Sequence, residues 1–235
     1  QINEKYKDID WEILSEENVK EYSYKFNSHK DWIWILDPLD GTKDFLQGTQ
    51  NYAMHLALNY KKIPYIGIVL IPGRQELWIA YDGKVWCEKK DGSIKKPDLC
   101  KKKKLQEMVL VTSKNHRNKA LKNLIQKINF KKVMKMGSIG CKIASILRGE
   151  SDIYICFSLP GESSPKDWDF AAPEAILRGS GGVVTNLDNL DLTYEKKDFM
   201  QGGIIIASNN KEQHKNLCLQ IRRVIDKYNI YPLNS

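Results

Sequence analysis

Asp31-Trp32-Ile33-Trp34-Ile35-Leu36-Asp37-Pro38-Leu39-Asp40-Gly41-Thr42-Lys43-Asp44-Phe45 is the most informative stretch of the 235-residue chain. Residues 31–36 are aromatic and aliphatic and read as a short buried strand. That strand runs directly into Asp37 and Asp40, with Pro38 between them. Pro38 holds φ near about −65° and sets a turn. Gly41 permits an unusual backbone geometry or a close approach by a ligand. Thr42 then opens a short helix, whose free N–H groups suit a phosphate. The turn thus offers two hard oxygen ligands, a carbonyl ligand at Leu39 and an anion cradle, a combination that describes a Mg²⁺-assisted phosphate site. A plainer reading makes Asp40 an ordinary helix N-cap. It accounts for Asp40 and Gly41 but leaves Asp37 at a strand end without a partner.

Downstream, apolar segments at 52–58, 64–71 and 75–81 are broken by Asn59-Tyr60-Lys61-Lys62 and by Pro72-Gly73, and read as a strand meander. Tyr81-Asp82-Gly83-Lys84 is a hairpin turn signal with its return strand at 84–88. The Lys-rich residues 89–104 read as a surface loop or lobe boundary. Beyond them the rhythm changes. Strands at 108–113, 132–136, 152–157, 181–186 and 203–208 are interspersed with helices at 117–128, 140–148, 168–178 and 210–228. Such alternation implies an α/β lobe with a largely parallel sheet. The expected organisation is an N-terminal α+β lobe over 1–104 and a C-terminal α/β lobe over 105–235.

Composition excludes several classes. Apolar residues make up 42% and charged residues 28% of the chain, ordinary globular usage rather than disorder or coiled coil. The longest apolar stretch, 63–71, is far short of the ~20 residues of a membrane span. The net charge of +8 comes from 31 Lys and only 6 Arg. Base-edge readers favour bidentate Arg, so the run Lys101 to Lys104 reads as a solvated turn rather than a nucleic-acid patch. The five cysteines are odd in number and lack CxxC spacing, which argues against a disulfide scaffold or a zinc knuckle and fits a reducing cytoplasm. The histidines show no metal-binding spacing, so any metal would be hard and oxygen-bound.

Two further acidic segments stand out. Glu16-Glu17 follows the apolar stretch Trp11-Glu12-Ile13-Leu14-Ser15, and by itself reads as a solvated loop. In Lys166-Asp167-Trp168-Asp169-Phe170-Ala171-Ala172-Pro173-Glu174, Asp169 lies at a helix start, where capping is the bland role. Small Ala171 and Ala172 allow that helix to pack closely on a neighbour.

Together, Glu16-Glu17, the run from Asp37 to Phe45 and the run from Trp168 to Ile176 resemble the motifs of the inositol monophosphatase superfamily of Mg²⁺-dependent, lithium-sensitive phosphatases, in order and in spacing. Within it the chain is most similar to the 3′(2′),5′-bisphosphate nucleotidases, through Leu39, Lys166, the Ala-Ala-Pro-Glu-Ala-Ile-Leu run, Gly137-Ser138-Ile139-Gly140-Cys141-Lys142 and Ser113-Lys114-Asn115-His116. The resemblance implies a layered αβαβα sandwich. It also implies removal of the 3′-phosphate from 3′-phosphoadenosine 5′-phosphate (PAP) or its 5′-phosphosulfate (PAPS). Glu16, Asp37 and the Leu39 carbonyl would hold one Mg²⁺, and Asp37, Asp40 and Asp169 a second, with a weaker third ion as an option. Thr42 would orient the attacking water, and the Gly41 and Thr42 amides would hold the phosphate. Ser138 and Lys142 would contact nucleotide phosphate, and Ser113 and His116 adenosine. A snorkelling helix lysine stays open for Lys142, and a solvated loop histidine for His116.

The family carries a longer region before its Glu-Glu pair, with helices and a mobile Lys/Asp loop, and the sequence before Glu16 is too short to contain it. Intact metal ligands favour a truncated record over lost machinery. The implied protein is cytoplasmic, a monomer or homodimer, with a small-molecule nucleotide as partner and neither nucleic acid nor a membrane span. Its rivals are a phosphatase for inositol phosphate, NADP or a sugar bisphosphate, a non-catalytic nucleotide sensor, and a basic RNA-binding domain.

Overall fold

Two-residue alternation builds a first sheet whose faces differ in kind. In β2 (Trp32–Asp40), Ile33 and Ile35 are buried while Trp32 and Trp34 point the other way. β3 (Ala53–Tyr60) buries Ala53, His55, Ala57 and Asn59 on the same inner side. The computed structural model describes residues 10–19, 30–98, 102–114, 118–159 and 161–230. In it β1 (Trp11–Ser15), β2, β3, β4 (Ile63–Ile71), β5 (Glu76–Tyr81), β6 (Lys84–Lys89) and β7 (Ile94–Lys95) lie side by side in chain order. β1 runs parallel to β2, and every other pair is antiparallel. The expected meander is present, widened by a parallel edge strand at Trp11–Ser15 and by a short strand inside the Lys-rich loop.

The second sheet has the order β11-β12-β10-β8-β9, formed by β8 (Val109–Ser113), β9 (Lys132–Met136), β10 (Ile153–Ser158), β11 (Val183–Asn186) and β12 (Gly203–Ser208). β8 pairs in parallel with β9 and β10, whereas β12 is antiparallel to both β10 and β11. The sheet is therefore mixed rather than largely parallel. The reason lies in the connections. α2 (Lys119–Ile128) and α3 (Ile139–Leu147) cross over between parallel strands. No helix separates β11 from β12, so the chain simply turns back.

Helix α4 (Asp167–Gly179), which follows β10, packs on the first sheet. Its Ala172 and Ala175 meet Gly67 of β4, where a Cβ would fall 2.5 Å from that of Ala175. Ala172 thus serves the close packing expected of it, with Ala175 beside it at Gly67, and Ala171 is buried in the main core. α3 is buried along its whole length beside α4, between the two sheets. α2 and α5 (Lys211–Tyr228) cover the far side of the second sheet and close a second apolar core through Leu121, Leu124, Leu217 and Ile221. The main core draws on both halves of the chain, from Ile33 and Val69 to Ile143 and Ile205. Sheet, helix pair, sheet and helix pair are four layers of the expected sandwich. Among the described residues, no helix is long and apolar enough to cross a membrane.

Candidate active site

The Asp-Pro-Leu-Asp turn is a bulged strand end. β2 continues to Asp40, and its register on β3 slips between Asp37 and Asp40. Pro38 has no N–H to give a ladder, which suits a bulge. The Leu39 N–H instead donates to Asp37 Oδ1 at 2.9 Å, and the Thr42 hydroxyl donates to the Leu39 carbonyl at 3.2 Å. Gly41, at φ +87°, is the N-cap of α1 (Thr42–Leu46). Asp40 is therefore not that helix's cap. Its Oδ2 accepts from Ser138 Oγ at 2.7 Å and from the Ile139 and Gly140 amides at 2.5 and 3.4 Å. Asp40 sits at the N-terminus of α3, where a carboxylate is favoured by the unpaired amides and the helix dipole.

Asp169 enters from the first turn of α4, with its Oδ2 accepting the Lys166 amide at 2.6 Å. Capping is thus one of its jobs. The other is positional: Asp37, Asp40 and Asp169 each present a carboxylate oxygen, all within 4.8 Å of one another. Such crowding shifts the titration of Asp37 and Asp169. Burial, then repulsion from Asp40, Asp169 and Glu16, pushes Asp37 up to about 9. Burial, then Asp40, pushes Asp169 up to about 8. Burial, Glu17 and Asp40 also raise Glu16, against a hydrogen bond with Asp37.

The neighbouring cation is Lys142, on α3 and only 2% exposed. Burial lowers its pKa against the pull of Asp40 and Asp169. Its Nζ donates to the Gly137 carbonyl at 2.7 Å and lies 5.3 Å from the centre of the Tyr154 ring. A lysine this deep is not snorkelling to bulk water. Its single charge does not balance the carboxylates of Asp37, Asp40, Asp169 and Glu16. An all-oxygen donor set with surplus negative charge fits a hard divalent cation.

A cavity of about 700 Å³ opens over this cluster. Glu16, Asp40 and Asp169 line it with Gly41, Thr42 and Lys142, and Ser113 borders it as well. Ser138 does not. It is fully buried, its hydroxyl donating to Asp40 and accepting the Cys141 amide as the N-cap of α3. The expected nucleotide contact at Ser138 is thus replaced by support for a metal-ligand candidate. His116 lies outside the described residues. Tyr154 and Cys156 also line the cavity and were missed by sequence reasoning. They sit on a strand whose apolar run identified only a core element. His55, fully buried, was missed too. It shares the inward phase of β3 with Ala53 and Ala57, and a polar residue in that phase was the available signal.

Comparison with known proteins places these features in a family. The sequence pattern of the inositol monophosphatase family matches residues 1–226. The 3′(2′),5′-bisphosphate nucleotidase CysQ of Buchnera aphidicola is 34% identical over 184 residues, 77% of this chain and 64% of that protein. The chain thus spans just under two thirds of that relative's length. CysQ from Bacteroides thetaiotaomicron, described as a bacterial member of the inositol monophosphatase family, superposes with a TM-score of 0.71 at 23% identity, covering 89% of this chain and 81% of that one. An inositol monophosphatase from Zymomonas mobilis gives 0.72 at 22% identity, covering 94% and 78%. The backbone is shared by nucleotidase and inositol phosphatase alike, so the fold does not choose between their substrates.

Proposed function

The chain belongs to the inositol monophosphatase family, and we propose that it is a Mg²⁺-dependent phosphomonoesterase acting on a 3′-phosphorylated adenosine nucleotide. The reaction hydrolyses PAP or PAPS to adenosine 5′-phosphate or adenosine 5′-phosphosulfate and inorganic phosphate. The observation that carries this reading is the cluster of Asp37, Asp40 and Asp169 beneath a cavity that also exposes a deep lysine. The nucleotidase name of the Buchnera relative favours the nucleotide over inositol phosphate.

Asp37, Asp40, Asp169, Glu16 and the Leu39 carbonyl are the groups that would hold Mg²⁺. When bound, the metal supplies a nucleophilic hydroxide near neutral pH and a Lewis acid for the leaving oxygen. The chain's own residues do the positioning. The Leu39 amide fixes Asp37, and the N-terminus of α3 fixes Asp40. We assign the Thr42 hydroxyl, at the cavity edge beside Leu39, to orienting the attacking water. The Gly41 and Thr42 amides are assigned to the transferred phosphate. Lys142 is assigned to the second phosphate of the nucleotide, and Ser113 to its adenosine.

Phosphate release from PAP, PAPS, NADP, inositol phosphate and fructose bisphosphate, with and without Mg²⁺, tests the reading. Fastest turnover of PAP or PAPS, dependent on the metal, is expected. Preference for inositol phosphate would move the chain to the other branch of its family. Binding of PAP without turnover of any substrate would make it a nucleotide sensor.

A further inference from the structure

Two buried carboxylates on α4 are not used by the reading above, and both grip the connection between β11 and β12. Asp167, in the first turn, and Glu174, about two turns on, are both buried. Asp167 Oδ2 accepts the Glu195 amide at 2.6 Å, and its Oδ1 accepts from Gln201 Nε2 at 2.6 Å. The same Nε2 donates to the Thr193 carbonyl at 2.9 Å. Glu174 Oε2 accepts the Tyr194 hydroxyl at 2.6 Å. Backbone bonds tighten the grip. The Asp167 amide donates to the Phe199 carbonyl at 3.0 Å, the Gln201 amide donates to the Pro165 carbonyl at 2.8 Å, and Lys166 forms an antiparallel bridge with Met200. Glu195 and Phe199 hold left-handed φ of +61° and +56°, a strain that persists in non-glycine residues only where the surroundings fix it. The grip bears on the carboxylate cluster through Lys166, whose amide donates to Asp169 Oδ2 at 2.6 Å. Residues 165–167 thus hold both the connection and Asp169.

We propose that Asp167 is a positioning residue of the metal site: by fixing the β11–β12 connection to residues 165–167, it fixes the Lys166 amide and with it the carboxylate of Asp169. Asp167 itself does not line the cavity, so its effect on the site is indirect. Both of its oxygens accept, and a neutral isostere cannot replace them. An Asn offers one accepting oxygen and turns an N–H toward the second donor. The inference rests on the reading of the carboxylate cluster as a Mg²⁺ site. Groups that orient metal ligands typically change metal affinity or activity by about 10- to 100-fold when removed, and Asp167, one bond further out, belongs at the lower end.

Calorimetric titration of the full chain with Mg²⁺ alone is the test. Wild-type binding comes first: its absence would defeat the metal-site reading and this inference with it, whereas the variants bear on this inference alone. Asp167→Asn is expected to weaken Mg²⁺ binding about tenfold, with far-UV circular dichroism unchanged. Gln201→Leu, which removes one donor and keeps the bulk, is expected to reproduce part of that loss. The double variant is expected to lose less than the two single losses combined, because both break one contact. Tyr194→Phe takes a bond from the same connection at Glu174, away from Asp169. It is expected to lower the melting temperature and to leave Mg²⁺ affinity at the wild-type value. Wild-type affinity in Asp167→Asn would overturn the proposal. So would a loss in Tyr194→Phe as large as that in Asp167→Asn, which would trace to loosening of the connection as a whole. If Asp167→Asn fails to fold, Gln201→Leu decides: wild-type Mg²⁺ affinity overturns the proposal, and a partial loss supports it.

Discussion

Two groups of buried charge lie at opposite ends of α3, and their contrast separates structure from function. At the C-terminal end, Glu76 on β5 is 2% exposed. It accepts from Lys89 Nζ at 2.6 Å, from an Arg148 guanidinium nitrogen at 2.7 Å and from the Trp78 indole at 3.0 Å. Arg148 also reaches Glu150, which Arg74 joins at 3.3 Å. Every strong charge there meets an opposite one. Burial alone would raise Glu76, yet Lys89, Arg148 and Trp78 outweigh it and hold the carboxyl below its usual range. At the N-terminal end, Asp37, Asp40 and Asp169 face one another, and burial and repulsion raise Asp37 and Asp169 far above theirs. A buried ion pair closed by its own partners is a fixture of the fold. A buried carboxylate cluster short of cations is a binding site for one.

The sharpest way to break this contrast is to neutralise one member of each group. Asp37→Asn should lower kcat/KM by more than about a hundredfold, because several kcal/mol of charge stabilisation depends on the metal it helps to hold. Activity within tenfold of wild type at saturating Mg²⁺ would remove Asp37 from the site. Arg148→Met should instead leave kcat unchanged and destabilise the fold by roughly 3 kcal/mol, the lower range for breaking a buried pair, since Lys89 stays with Glu76. Denaturant unfolding measures it, and an unchanged midpoint would make the network dispensable.

Lys142→Met, which keeps the bulk of the side chain, should raise KM for PAP about tenfold to a hundredfold, the worth of a charge-assisted contact. A substrate without the 5′-phosphate should be affected less. Equal losses on both would tie Lys142 to the scissile phosphate or to its Gly137 anchor.

The pH dependence of stability should differ in sign between the two groups. Glu76, with a lowered folded pKa, contributes stability that is present above its unfolded value and lost as pH falls. Asp37 and Asp169, raised to about 9 and about 8, do the reverse. The metal-free fold loses their contribution as pH rises from their unfolded values, about 4, through those folded ones. The melting temperature without metal should fall between pH 6 and 9, and the gain on adding Mg²⁺ should grow across the same window. A pH-independent Mg²⁺ gain would contradict the proton displacement expected of those carboxylates. The smallest effect concerns Asp37→Asn without metal. Folding at neutral pH makes Asp37 take up a proton that an amide does not need, so the variant's melting temperature should rise slightly, and a drop would mean that the Leu39 amide bond outweighs that gain.

Much of this molecule was legible in its sequence, for a physical reason. Strand and helix periods are local, so the alternation through 52–58 and the apolar faces of 117–128 and 210–228 marked elements that the structure contains. The turn chemistry of Pro38 and Gly41 is local as well, and so is the capping position of Asp169. Tertiary structure decided what the side chains serve. The plainer reading of Asp40 made it a cap for the helix next to it, but its carboxylate accepts from the first amides of α3 and from Ser138, the N-cap of that helix, 98 residues away. Ser138 read as a substrate contact and became the partner of Asp40. β12 took an antiparallel place because no helix separates it from β11, and α4 lies on the first sheet, where Ala172 and Ala175 fit against Gly67. His55 met the carbonyl of Trp168, 113 residues on, only when α4 packed against β3. Residue type and short spacing determine which chemistry is possible, and only packing across the two sheets determines which groups meet.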